Sequence, residues 1–227
     1  MPRRPETKTS LLPSAERLVT YVVTLGPNGP TGLPQKLCED CGGPSDWSSD
    51  GTVLLLQIRL GPSAGAATLL KIPSGERVKL HALEGPIGLE LTLSPDDRWV
   101  AFGRSPDPGR RQIFVAAFAS DKIGEPIPVT DGQQLDSHDR WSPDGRLLYF
   151  FSDRDGFRCL WAQRLDPAGR PLPDGLMEVQ HLHRAQLSAS DLPAFQMGLA
   201  VSRNRIVFTL NQRSGNIWMG ERKGGGQ

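Results

Sequence analysis

Cysteine is scarce in this chain: Cys38, Cys41 and Cys159 are its three, too few and odd in number for the disulfide framework of a small secreted domain. An excess of charge of either sign is lacking too. Twenty-six basic and 25 acidic side chains leave a formal net charge of +1, so no global field would hold the chain on a nucleic-acid backbone or an anionic membrane. No apolar run approaches the roughly 18 residues of a membrane-spanning helix. The first 25 positions place Arg3 and Arg4 ahead of Glu6, Lys8, Glu16 and Arg17, where a signal peptide would carry its apolar core. As written, the chain reads as cytoplasmic, with an extracytoplasmic location expected only for a piece of a membrane-anchored parent. Helical periodicity is also poor, and only Ala185 to Leu192 reads as a brief helical turn.

Glycine (25) and proline (20) fill about a fifth of the 227 positions while hydrophobic residues hold 37%, which implies many turns between short, packed elements rather than disorder. The turns repeat. Trp47-Ser48-Ser49-Asp50-Gly51 precedes the apolar run Val53 to Leu56; Leu93-Ser94-Pro95-Asp96-Asp97 precedes Trp99 to Phe102; Trp141-Ser142-Pro143-Asp144-Gly145 precedes Leu147 to Phe151. Ser48, Ser94 and Ser142 thus recur at intervals of 46 and 48 residues, and a degraded copy follows at Ser202-Arg203-Asn204 before Ile206 to Phe208. A further partial copy begins near Pro13-Ser14-Ala15, before Leu18 to Tyr21.

Pro-Asp-Gly presets a tight turn, and the flanking β-branched and aromatic residues suit a pleated, buried surface. In the third copy, Arg146 to Ser152 reads as one strand, Asp153 to Gly156 as a turn, Phe157 to Leu165 as the return strand and Leu176 to Leu182 as the outer one. Four short antiparallel strands in 40 to 50 residues make one propeller blade, a sheet that must stack on its neighbours to bury both faces. The fold expected is all-β: a β-propeller of four-stranded antiparallel blades, three complete repeats with partial ones at both ends. It spans residues 12–221 between disordered tails at 1–11 and 222–227.

Ser-Pro-Asp-Gly, an aromatic strand and then Ser-Asp-Arg-Asp-Gly resembles the WD-like repeat of TolB-type bacterial β-propellers. Leu37-Cys38-Glu39-Asp40-Cys41-Gly42 and Gly215-Asn216-Ile217-Trp218 look like the C-terminal propeller part of large bacterial proteins, often serine/threonine kinases. The resemblance implies six or more blades, whereas three complete units are present. The reading therefore favours the tail end of a longer parent over a self-closing ring, and bare blade faces would then promote self-association.

Apparent catalytic motifs dissolve in the repeat. Gly61-Pro62-Ser63-Ala64-Gly65 fits a nucleophile elbow, but the same place in the other copies holds Ser105 to Gly109 and Ser152 to Gly156, which makes it a hairpin loop. Gly26, Gly29 and Gly32 imitate a phosphate loop, yet Pro27 and Pro30 lack the amide hydrogens needed there. Kinase catalytic motifs are lacking. Cys38 and Cys41 have Cys-x-x-Cys spacing; free thiols at a blade junction are the reading preferred to a disulfide or a metal half-site. Cys159 sits inside a strand of a unit other than that of Cys38 and Cys41, and His181 and His183 lie in yet another segment, so no second half-site is evident and the two histidines read as solvated or core residues rather than ligands.

A non-catalytic binding or sensory module is the functional expectation, with no cofactor and no metal. Alternatives are the propeller portion of a prolyl-oligopeptidase-like hydrolase and a truncated fragment without activity of its own. Because loops alternate between the two ends of a blade, those after Thr130 and at Asp153 to Gly156 share an edge opposite the Ser-Pro-Asp-Gly turns. That edge offers Asp131, Gln133, Gln134, Asp136, Arg154 and Asp155 to a protein or peptide partner. Trp47, Phe102, Trp141, Tyr149 and Phe208 are expected to be buried between blades.

Overall fold

The computed structural model describes residues 19–57, 67–72, 74–80, 87–105, 107, 109–119, 121–184, 187–189, 192 and 196–212, with the side chains of 87–89 and 187 excepted. The expected tails, Leu18, Ser63 and the segment Gly215 to Trp218 lie outside the described residues. Among the described residues no helix is long and apolar enough to cross a membrane.

The described chain is all-β, built of several antiparallel sheets. A hairpin, β1 (Val19–Gly26) and β2 (Gly29–Glu39), comes first and turns through Pro27 and Asn28, so the glycine-rich stretch is a turn. Three blades follow, each a sheet whose strands pair in chain order. Blade one is β3 (Gly43–Trp47), β4 (Val53–Gln57), β5 (Ala67–Lys71) and β6 (Arg77–Lys79). Blade two is β7 (Ile87–Leu93), β8 (Trp99–Arg104) and β9 (Gln112–Ala119), with the two-residue strands β10 (Lys122–Ile123) and β11 (Ile127–Pro128) both pairing with β9. Blade three is β12 (Ser137–Trp141), β13 (Leu147–Ser152), β14 (Cys159–Leu165) and β15 (Pro171–Gln180). Its outer strand thus begins at Pro171, five residues ahead of the expected Leu176.

After blade three come β16 (Leu187–Ser188), β17 (Leu199–Val201), β18 (Ile206–Phe208) and β19 (Asn211–Gln212), paired as β16–β19 and β17–β18. Within the expected helical turn at Ala185 to Leu192, Leu187 and Ser188 form a strand instead, while 185, 186, 190 and 191 lie outside the described residues. Strand β1 pairs with β2 and β18 with β17, so among the described residues the two ends of the chain do not share a sheet.

One turn geometry recurs in all three blades. The amide of Ser48, Ser94 or Ser142 donates to the carbonyl of Val53, Trp99 or Leu147, and the serine hydroxyl accepts from the amide of that same residue at 2.9 Å while donating to Asp50, Asp96 or Asp144. The hydroxyl closes the turn and fixes where the next strand begins. The last turn position is left-handed in each copy: Gly51 at φ 71°, Gly145 at φ 70°, and Asp97 at φ 56°. Asp97 accepts the cost of that conformation and links blades, since its carboxylate receives the Ser49 amide at 3.0 Å and the Ser49 hydroxyl at 2.5 Å.

Both faces of a blade are apolar, as stacking demands. Leu55, Leu69, Leu91, Val100 and Phe102 fill the space between blades one and two. Ala101, Ile113, Val115, Trp141, Leu148 and Phe150 fill that between blades two and three. Phe151, Cys159, Leu160, Leu182, Met197 and Leu199 join blade three to the strands that follow, with Tyr149 and Phe208 half-buried at the margin. Trp47 departs from expectation: it is 39% exposed, whereas Trp141 is 8% exposed. Trp141 lies against blade two and donates its indole N–H to the Thr92 carbonyl at 3.3 Å. No blade among the described residues covers Trp47 in the same way. The Cys38–Cys41 pair is a disulfide rather than two free thiols; both residues are buried against Leu54, Leu56 and Leu70, so the chain leaving β2 is stapled where it meets blade one.

Contact between blades two and three is tight at Gly169, where a Cβ would lie 2.5 Å from the Trp99 ring and φ is +73°. Gly156 has φ +86° with open space around it. Gly156→Ala is expected to cost about 1 kcal/mol from the left-handed backbone alone, and Gly169→Ala roughly 3 kcal/mol because overpacking is added. Urea melts of the two variants measure the difference; equal losses would show that the blades do not meet there.

Candidate functional site

Antiparallel pairing carries the segment before Ser137, the 153–158 hairpin and the segment after Gln180 to one edge of blade three, opposite the Ser142 to Gly145 turn. The edge is cross-braced. The Leu135 amide donates to Asp153 at 2.9 Å, the Arg111 amide to the Gln134 carbonyl at 2.9 Å, and the Asp136 amide to the Arg111 carbonyl at 3.1 Å. The Gln133 amide donates to the Asp131 carboxylate at 3.0 Å.

The six residues expected to face a partner divide into three groups. Asp131 and Gln133 are exposed and Gln134 half-exposed. Asp136, by contrast, has no exposed surface: it pairs with Arg154 at 3.1 Å, because a buried carboxylate needs a partner. Burial pushes its carboxyl above the usual range, offset by the Ser152 and Thr130 hydroxyls and by Arg154. Arg154 also donates to Ser152 and lies over the Phe150 and Trp161 rings, 5.4 and 5.1 Å from their centroids. Asp136 and Arg154 therefore support the edge from within. Asp155 turns outward along the blade to His181 and His183.

That last grouping corrects the sequence reading, in which Cys159 and the two histidines lay in separate segments with no joint site. All belong to blade three. Leu160 pairs with Gln180, which carries His181 to the level of Cys159. One ligand atom each from Asp155, Cys159, His181 and His183 falls within 4.8 Å of the other three. The pairing was the missed signal: strands β14 and β15 of one hairpin must juxtapose residues beside their paired ends. Burial pushes the Cys159 thiol up to about 11, with Asp155 and Glu178 adding to the rise and the Leu182 amide opposing it.

The first strands of successive blades lie side by side and exchange polar contacts. Ser45 bonds the Leu91 backbone, Asp46 accepts the Leu93 amide at 2.6 Å, the Thr92 hydroxyl donates to Asp139 at 3.1 Å, and Arg140 grips Glu90 through two contacts of 3.0 and 3.1 Å. A cavity of about 400 Å³ at the opposite edge lies between blades two and three, with Trp99, Trp141, Asp144 and Arg146 among its lining. Ser63 lies outside the described residues, and the strands around it pair as a hairpin, Gln57 opposite Ala67.

No family model matches the chain. A 35-residue stretch is 51% identical to the uncharacterized peptidase YuxL of Bacillus subtilis (strain 168), covering 15% of this chain and 5% of that protein. Among solved structures, the chain is similar to TolB from Acinetobacter baumannii, with a TM-score of 0.49 and 16% identity over 79% of this chain and 43% of that one. It is also similar to Kluyveromyces lactis Hsv2, with a TM-score of 0.49 and 16% identity over 86% of this chain and 60% of that one. The chain spans less than two thirds of the length of each of these proteins.

Asp139 is buried in the seam between first strands, and its carboxyl is pushed up to about 6 by burial and then by Glu90, against the pull of Arg140 and Thr92. An acid whose pKa is raised on folding binds more protons in the folded state, so stability falls as pH rises from about 4 to about 6. Comparison with Asp139→Asn is expected to show the wild type losing about 2 kcal/mol relative to the variant between pH 4 and pH 7. A difference that stays constant across that window, in urea melts, would remove Asp139 as the cause.

Proposed function

We propose that the chain is a non-catalytic β-propeller module that binds a protein or peptide partner through the edge built around Asp131, Gln133 and Gln134. One observation carries this reading: exposed polar side chains stand on a backbone braced from below by Asp136, Arg154 and Asp153. A surface ordered before binding loses little conformational freedom when a partner docks. Mixed polarity suits a polar partner rather than an apolar small molecule. Membership of a larger bacterial signalling protein, kinase-linked by the sequence phrases quoted, belongs to the same proposal. So does self-association through uncovered apolar surface such as Trp47, Tyr21, Leu25 and Leu33. A disulfide at Cys38–Cys41 favours the extracytoplasmic location over the cytoplasmic one.

Panning a displayed peptide library against the protein tests the proposal. Enriched peptides should bind the wild type and lose at least about tenfold in affinity, roughly 1.4 kcal/mol, with Asp131→Lys or Gln133→Ala, while circular dichroism is unchanged. Peptides indifferent to both variants would place the binding surface elsewhere.

The short identity to a peptidase supports a second reading, in which the chain is the propeller portion of a hydrolase. Ser63 is the residue to test. A fluorophosphonate probe should leave it unlabelled; labelling that disappears in Ser63→Ala would establish an enzyme.

A further inference from the structure

We infer that Asp155, Cys159, His181 and His183 form a tetrahedral site for a divalent transition-metal ion of the zinc class. The donor set is one thiol sulfur, two imidazole nitrogens and one carboxylate oxygen, the ligand types that zinc takes. Two anionic ligands balance the ion's charge once the thiol proton has left to solvent. Asp155 Oδ2 lies 2.9 Å from His181 Nδ1 and 2.8 Å from His183 Nε2. With metal bonds of about 2.0 to 2.3 Å, a tetrahedron has edges of about 3.3 to 3.7 Å, so the aspartate–histidine pairs need to open by about 0.5 Å while the widest pairs of the group, which reach to 4.8 Å, draw in by about 1 Å to hold the ion.

Surrounding groups orient each donor. The Phe157 amide holds Asp155 Oδ1 at 3.2 Å and leaves Oδ2 toward the histidines. The Leu182 amide donates to Cys159 Sγ at 3.2 Å, a bond that favours a thiolate. Glu178 Oε2 stands 2.5 Å from His181 Nε2, the carboxylate–histidine arrangement that fixes the tautomer of a metal-bound ring. With the ion on Nδ1 and the proton on Nε2, every partner of that ring is satisfied. Phe157 stacks on His183 at 4.5 Å and Trp161 meets His181 edge-on at 6.3 Å. Both histidines are about two-fifths exposed and Cys159 is buried, so the ion has a path in from solvent and a sulfur to rest on. Four protein ligands make a closed, structural site. It fastens the β13–β14 hairpin to the chain leaving β15.

The test uses tag-free full-length protein, stripped with a chelator and kept without reductant so that the Cys38–Cys41 disulfide stays closed. Zn²⁺ is titrated by calorimetry, and Co²⁺ is followed by absorption. The inference expects one ion per chain and a thiolate-to-cobalt charge-transfer band that Cys159→Ser abolishes. His183→Ala, at an exposed position, should weaken Zn²⁺ by at least about 100-fold, since loss of an orienting neighbour alone costs about 10- to 100-fold. Glu178→Gln should weaken it by about tenfold and keep the band. Absence of saturable Zn²⁺ binding, or binding unchanged in His183→Ala with wild-type circular dichroism, would overturn it; if Cys159→Ser fails to fold, the His183→Ala result decides.

Discussion

A thin sheet with apolar side chains on both faces has to be covered twice, and this requirement governs the described structure. Alternate residues of β8 face opposite ways, Phe102 toward blade one and Ala101 toward blade three. The same holds in β13, where Phe150 packs back on blade two and Phe151 forward on the strands that follow. Neither face can be left to water without exposing large apolar area, so each blade depends on its neighbours for stability. Trp47 marks the limit of that rule. It occupies the place of Trp141 in its own blade yet remains 39% exposed.

Stacking alone would allow blades to slide. Polar contacts between first strands prevent this, because each is satisfied at one register only: Asp46 with the Leu93 amide, Thr92 with Asp139, Arg140 with Glu90. Of these side chains Thr92 and Asp139 are buried and the others partly so, and they add less to stability than to definition, since a buried polar group must be matched or carry a desolvation penalty. Asp139 retains part of that penalty, which is why its carboxyl holds its proton to about pH 6. The Ser49–Asp97 contact repeats the device at the turn edge and explains why an aspartate stands at a left-handed position occupied by glycine in the neighbouring copies.

Legibility in the sequence followed the range of the interaction. The serine–aspartate turns, the strands after them and the hairpin at Gly26 to Gly29 depend on residues within about five positions and were readable as strings. The shared edge of the 131–136 and 153–156 loops followed from strand alternation alone. Trp47 was misplaced because its burial depends on a neighbouring sheet, not on its own motif. The oxidised state of Cys38 and Cys41 was not favoured because spacing of this kind serves thiols, metals and disulfides alike. Asp136 looked like a surface acid because nothing local reveals Arg154, 18 residues on, as its partner.

The His–Cys–Asp group lay hidden for a different reason: it depends on register. His181 and His183 are exposed while Leu182 between them is buried in the core cluster with Cys159 and Leu160. A slip of one residue would turn Leu182 to solvent and drive both imidazoles into apolar surroundings. Packing of one leucine thus selects the register that presents two imidazoles side by side, at 4.3 Å between centroids, and sets its own amide against the Cys159 sulfur. The polar arrangement at the edge is a consequence of the apolar one beneath it. Among the described residues no strand pairs beyond the outer strand β15, so whatever secures its exit secures a strand paired on one side only; the group formed by Asp155, Cys159, His181 and His183 stands at that exit.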